Sequence, residues 1–298
     1  MRLKITLSGI SGEKPKPSVK SVRALIYRTL SLADGNYAKW LHDYGYEHLA
    51  TRNGETIKQD QAQGLQSPEH FSDKYKTVKP FVFSHPYLAK NATGDVVMFK
   101  LASPDPEFMS VFALGAAKMM ENSPEPGNLG IAHISMASEP KIYSSRESTK
   151  QYFCLSPVIA QGKRDGKTHY CMNANDPDVA ALLFRNITSK WWSVTGQNIG
   201  QRFVRSSFVD GSMEREPFEI VFDKPQAVIN HIGREEIPAF MSRFTVRTTG
   251  RIHRAILELG LGQKNAMGFG MVEEMGQNER FRQRIGRLPR HEGNTEEN

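Results

Sequence analysis

The chain has 298 residues, of which 39% are hydrophobic and 24% charged. That balance fits one large or two ordinary globular domains and excludes a disordered chain; no apolar run nears the roughly 20 residues that cross a bilayer, so no membrane partner is expected. The formal net charge of +7 and a pI near 9.3 suit a polyanionic partner or an ordinary basic surface alike, and Cys154 and Cys171 form no CxxC pair, in keeping with a reducing, cytoplasmic setting.

"RLKITL" alternates with period two and predicts a first strand rather than a signal peptide. Val19, Val22, Leu25, Ile26, Thr29 and Leu30 then follow helical spacing, with Ser18 as the cap. Asp34-Gly35 breaks that helix, and "NYAKWLHDYG" predicts a short second one. Residues 45–78 are polar and weakly patterned, the composition of an insertion or long loop. "KPFVFSHPYLA" and "DVVMFKLAS" predict two strands, "DPEFMSVFALGAAKMME" an amphipathic helix, and "NLGIAHISMASEP" another strand. Strand, helix, strand, strand, helix, strand is the ferredoxin-like βαββαβ unit.

A second round follows. "QYFCLSPVIAQ" predicts a strand and "DPDVAALLFRNITSKWW" a helix with Val179, Leu182, Leu183 and Ile187 on one face. "PFEIVFD" and "AFMSRFTVRTT" are strands, "GRIHRAILELG" a helix and "GFGMVEEM" a last strand. The expected fold is α+β, with two tandem ferredoxin-like (βαββαβ) domains. Domain boundaries are expected at 1–145 and 146–275, with a polar, mobile tail over 276–298.

The basic residues are unevenly placed. From Arg243 onward come Arg247, Arg251, Arg254, Lys264, Arg280, Arg282, Arg284, Arg287 and Arg290. Arg251 and Arg254 share one helix face and suit a nucleic-acid backbone. Between the last helix and last strand lies "GLGQKNAMGFG", with Gly260, Gly262, Gly268 and Gly270. Its spacing is not that of a P-loop, because Asn265 or Met267 stands where the second glycine belongs. Nor does it open a helix after a strand, as a dinucleotide fingerprint must. A structural turn or a backbone-lined anion site beside Lys264 and Asn265 remains.

Catalytic candidates lie at the other end: Tyr27 on the first helix, His42 on the second, and Lys79 opening "KPFVFS". An imidazole, a phenol and an ammonium suit RNA cleavage by the substrate's own 2′-hydroxyl, which needs proton transfer and charge stabilisation but no metal. By residue type alone, His48, His70, His85, His133, His169, His231 and His253 are equally available, and a tyrosine on an apolar face is more often core. Trp191 and Trp192 read as core before base-stacking platforms. No HExxH occurs, and the carboxylates of "DPDVAA" and "EREPFE" lack ligand spacing.

"GLGQKNAMGFGMVE" resembles the C-terminal glycine-rich signature of the CRISPR-associated repeat-RNA endoribonucleases of the repeat-associated mysterious protein superfamily. "ALIYRTLSLADGNYAKWLHDYGY" resembles that family's N-terminal helix pair, "KPFVFS" its next strand, and "CLSPVIA" and "LLFRNITSKW" the opening of its second domain. The resemblance implies metal-independent cleavage of CRISPR repeat RNA in precursor transcripts, leaving a 5′-hydroxyl and a 2′,3′-cyclic or 3′ phosphate. It places the family's catalytic His, Tyr and Lys on His42, Tyr27 and Lys79, and implies RNA contacts by the glycine loop. The inserted polar stretch is a departure, and it leaves Lys39, His48 or Arg52 as alternatives to Lys79. No cofactor or metal is implied. The resemblance leaves open a non-catalytic RNA-binding role within an effector complex, contact with other effector subunits, and a homodimer.

Overall fold

A computed structural model describes residues 1–8, 17–47, 51–52, 55–56, 77–91, 94–121, 133–139, 143, 146–164, 167–171, 173–174, 176–206, 209–232 and 235–276. His48, His70 and the tail arginines Arg280 to Arg290 lie outside the described residues, and of Arg52 only the backbone is described.

The first half runs β1 (Arg2–Ser8), α1 (Val19–Ala33), α2 (Gly35–Asp43), the short strands β2 (Tyr46–Glu47), β3 (Thr51–Arg52), β4 (Glu55–Thr56) and β5 (Thr77–Val78), then β6 (Val82–Phe83), β7 (Tyr87–Asn91), β8 (Gly94–Ala102), α3 (Pro106–Glu121) and β9 (His133–Ser138). Its sheet has the order β6-β8-β1-β9, with β7 also on β8, and the pairs on β1 and β8 are antiparallel. This is the ferredoxin-like order, in which the strands closing the two βαβ halves flank the central pair. Period-two alternation on β1 buries Leu3, Ile5 and Leu7 against Leu25, Ile26 and Leu30 of α1 and Phe108 and Phe112 of α3. The two helices pack so closely at Gly115 that an added Cβ would sit 1.8 Å from the Thr29 carbonyl oxygen. Ser18 caps α1 by accepting from the Ser21 N–H, and Asp34 caps α2 by accepting from the Tyr37 N–H.

The second half runs β10 (Glu147–Cys154), β11 (Gln161–Arg164), β12 (Lys167–Tyr170), α4 (Pro177–Thr195), β13 (Gln201–Ser206), β14 (Val209–Arg215), β15 (Phe218–Ile232), β16 (Glu235–Thr249), α5 (Gly250–Leu259) and β17 (Val272–Glu274). The sheet order β15-β16-β10-β17 repeats the first topology. Tyr152, Phe240, Phe244 and Val246 of the sheet meet Val179, Leu183 and Ile187 of α4 and Ile252, Ala255 and Ile256 of α5. The α+β fold with two βαββαβ units is therefore the one expected.

Three features differ from the sequence reading. "KPFVFSHPYLA" is two strands, because residues 84–86 break the ladder at a proline that cannot donate a hydrogen bond. "QYFCLSPVIAQ" ends as a strand at Cys154, and Val158 makes only an isolated bridge to Phe240. Two hairpins, β11–β12 and β13–β14, and the full 15-residue length of β15 and β16 were not anticipated.

Candidate active site

Tyr27, His42 and Lys79 are brought together. α1 presents Tyr27 on its edge, where the ring meets His42 edge-on at 5.3 Å between centroids and Phe81 at 6.0 Å. Burial pushes the Tyr27 phenol up to about 12, so it stays protonated near neutrality and keeps a proton to donate. His42 stands in the last turn of α2 with its side chain 70% exposed, and its Nδ1 lies 2.9 Å from Asp43 Oδ1. A carboxylate at Nδ1 favours the tautomer with the proton on that nitrogen, which leaves Nε2 as the acceptor. Lys79 Nζ donates to the His42 carbonyl oxygen at 2.9 Å. Burial pulls its ammonium down to about 8, against the opposing pull of Asp43.

The polar insertion does not separate these groups, because its neck is closed. Tyr46 pairs with Val78 and Glu47 with Thr77, an antiparallel ladder that returns the chain to the end of α2 just before Lys79. Gly45, at φ 71°, makes the crossing possible, since a Cβ there would lie 2.9 Å from Lys79 Cδ and 2.9 Å from the Val78 carbonyl oxygen. Asp105 pins the neck from below: its Oδ2 accepts from Tyr46 at 2.8 Å and from Tyr37 at 3.3 Å, while Oδ1 accepts the Glu107 N–H that opens α3.

The glycine stretch does something other than present its polar side chains outward. Gly260, Gly262, Gly268 and Gly270 all have φ between 72° and 90°. A Cβ at Gly262 would lie 2.3 Å from the Ile159 carbonyl oxygen, and one at Gly270 2.0 Å from that of Leu261. A Cβ at Gly268 would lie 2.3 Å from Val19 of the first unit. The close approach these glycines permit is thus to the chain's own atoms. Buried Asn265 accepts from Lys190 Nζ at 2.7 Å and donates to the carbonyl oxygens of Phe269 and Leu261. Asn265, a candidate RNA contact in the sequence, thus braces the loop from inside. Lys264, half-buried in the left-handed conformation at φ 57°, is the loop's remaining cation.

Sequence reasoning missed Lys190. It reaches from α4 into the loop and donates to the carbonyl oxygens of Gly260 at 3.0 Å and Gly262 at 2.9 Å as well as to Asn265. Burial pulls its ammonium down to about 7. Its only sequence signal was a lysine inside an otherwise apolar helix face. Arg251 pairs with buried Glu216, and Arg254 pairs with Glu258 at 3.0 Å while lying over the Trp191 ring. Both side chains stay about half exposed, at 49% and 47%. Trp191 is core, as expected.

Residues 138–274 match the family described as CRISPR associated protein Cas6, C-terminal. That stretch, a little under half of the chain, is similar to the Cas6 C-terminal domain. The match takes in β10 to β17 and the whole glycine loop. Tyr27, His42 and Lys79 lie before it. Among solved structures, a Cas6-related protein from Pyrococcus furiosus shares 15% identity over 93% of this chain and 99% of its own, with a TM-score of 0.59. A RAMP protein described as binding different RNA substrates shares 16% over 93% and 100%, also at 0.59. A Cas6 product complex shares 14% over 92% and 100%, again at 0.59. At these identities the likeness shows a common fold across both units. No curated protein matches the chain in sequence.

Proposed function

We propose that the chain is an endoribonuclease that cuts CRISPR repeat RNA by internal attack of a 2′-hydroxyl on the adjacent phosphate, with no metal in the reaction. The observation that carries this reading is the meeting of Tyr27, His42 and Lys79 across a closed insertion neck. The similarity of residues 138–274 to the Cas6 C-terminal domain supports this substrate class.

His42 Nε2 takes the 2′-hydroxyl proton as the new O–P bond forms. Lys79, whose ammonium is weakened to about 8, gives a proton to the departing 5′-oxygen as the P–O5′ bond breaks. That leaves a 2′,3′-cyclic phosphate and a 5′-hydroxyl. Before it yields its proton, the same ammonium offsets charge on the phosphorane. Tyr27 holds the imidazole edge and offers its phenol proton to a phosphate oxygen. Tethering of the nucleophile to its own target provides the proximity term. Lys264 and the half-exposed Arg251 and Arg254 are the proposed RNA-facing positions of the second unit.

The test is incubation with repeat RNA in excess EDTA, alongside the same RNA with a 2′-deoxy sugar at the scissile nucleotide. The first is cut and the second is not. His42→Ala lowers the single-turnover rate by about a hundredfold or more. Cleavage of the deoxy substrate, or dependence on Mg²⁺, sinks the mechanism. Tight binding with no cleavage would instead make the chain a non-catalytic RNA-binding subunit.

A further inference from the structure

The geometry assigns a transition-metal site of the zinc class to His169, Cys171 and Asp176. One donor atom from each lies within 4.8 Å of the others. The local fold explains the meeting. His169 is on β12, and Cys171 extends that ladder, its N–H donating to the Ala160 carbonyl oxygen at 2.9 Å. Two residues apart on extended chain, their side chains share a face. The chain then turns, with the Asp176 N–H donating to the Asn173 carbonyl oxygen at 3.0 Å, and Asp176 caps α4 by accepting from the Asp178 N–H. The turn returns the carboxylate to the thiol and imidazole.

The donor set selects the ion. Thiolate and imidazole together favour Zn²⁺ over the hard cations Mg²⁺ and Ca²⁺, which prefer all-oxygen sites. Mutual spacing within 4.8 Å lets all three close on one ion at the usual zinc distances of about 2.0–2.3 Å with small side-chain shifts. Three protein ligands leave a fourth position for water. Cys171 is buried and in no disulfide. Binding would displace its proton.

The site's position gives it a job. It joins the end of the β11–β12 hairpin to the first turn of α4, and that hairpin already lies on the helix, with Leu182 Cδ2 3.0 Å from where a Cβ at Gly162 would be. A bound ion therefore staples the hairpin to α4. It lies outside the proposed cleavage site and neither depends on that reading nor supplies a step to it.

The probe is Co²⁺, added to chelator-stripped, buffer-exchanged full-length protein. Its thiolate charge-transfer absorption reports sulfur ligation, and its ligand-field bands report tetrahedral geometry. One Co²⁺ per chain binds with a thiolate band, Zn²⁺ displaces it, and Zn²⁺ raises the melting temperature. Cys171→Ser removes the band, whereas Cys154→Ala keeps it. His169→Ala weakens binding by at least the roughly tenfold that even a lost supporting partner costs. Asp176→Asn does likewise while retaining a helix cap, since Asn caps as well as Asp. No thiolate band at one equivalent, or a band that survives Cys171→Ser, overturns the assignment. Unchanged affinity in both His169→Ala and Asp176→Asn overturns it too, and that pair decides if Cys171→Ser fails to fold.

Discussion

Lys79 is the residue on which the proposed chemistry is most exposed to test. A lysine whose pKa is pulled down to about 8 is an ammonium at pH 7 and a neutral amine by pH 9. If it serves as the acid, the cleavage rate falls as pH rises through about 8. Lys79→Arg keeps the cation but holds its proton beyond pH 12. The variant should therefore cut more slowly at pH 7, because a guanidinium is a poor acid, and should lose the fall near pH 8. A falling limb that stays in place in Lys79→Arg assigns it to another group. His42 and Tyr27 could be picked out from residue type, element and resemblance. Lys79 was left among alternatives because the length of the insertion conceals the Tyr46–Val78 pairing that closes it. Gly45 went unread for a similar reason, since its role exists only once Lys79 crosses it.

At the scale of elements, the glycine loop is folded around a lysine from another helix. The Lys190 ammonium is the shared, buried donor for three carbonyl oxygens and the Asn265 amide oxygen. Removing it leaves several buried acceptors unpaired, each costing on the order of 1–3 kcal/mol. Lys190→Met fills similar space without donating, and should lower stability by about 3 kcal/mol in urea unfolding. A loss under about 0.5 kcal/mol, the range of a neutral surface change, would mean the cage is not what holds the loop. The helices and central strands were legible because their apolar residues recur at 3.6 or 2. The β11–β12 and β13–β14 hairpins were not, since short polar strands carry no comparable pattern. The glycines could be seen as positions of special backbone, but one sequence cannot say whether a close approach is to a ligand or to the protein itself. Here Ile159, Leu261 and Val19 are what they approach.

At the scale of the molecule, the two units are joined through a buried set of charges that neither unit holds alone. Arg2, on β1 and 1% exposed, donates to the carbonyl oxygens of Leu257 at 2.7 Å and Val272 at 3.1 Å and pairs with Glu273 at 3.0 Å. Lys100, beside it on β8, bridges Glu139 at 2.7 Å and Glu273 at 2.5 Å. Val82 and Ala102 of the first unit pack on Met271 of the second around this cluster. Loss of Arg2 leaves two carboxylates, Glu139 and Glu273, sharing one lysine and takes the donor from the Leu257 and Val272 carbonyl oxygens, and removing one partner of a buried ion pair costs about 3–5 kcal/mol. Arg2→Met should therefore destabilise the chain by that amount and uncouple the units, so that a single thermal transition becomes two. Arg2→Met with Glu273→Met removes charge from both sides and should recover a large part of the loss. If the double variant is as unstable as the single, the penalty comes from packing rather than charge. The consequence reaches the proposed chemistry as well. The trio sits in the first unit and the proposed RNA-facing positions Lys264, Arg251 and Arg254 in the second, so a substrate that touches both needs the units held in register. Arg2→Met should weaken cleavage of a full repeat, measured below its melting temperature, more than cleavage of a dinucleotide that reaches only His42 and Lys79. Equal losses on the two substrates would show that the interface supports the fold and does not align the units on RNA.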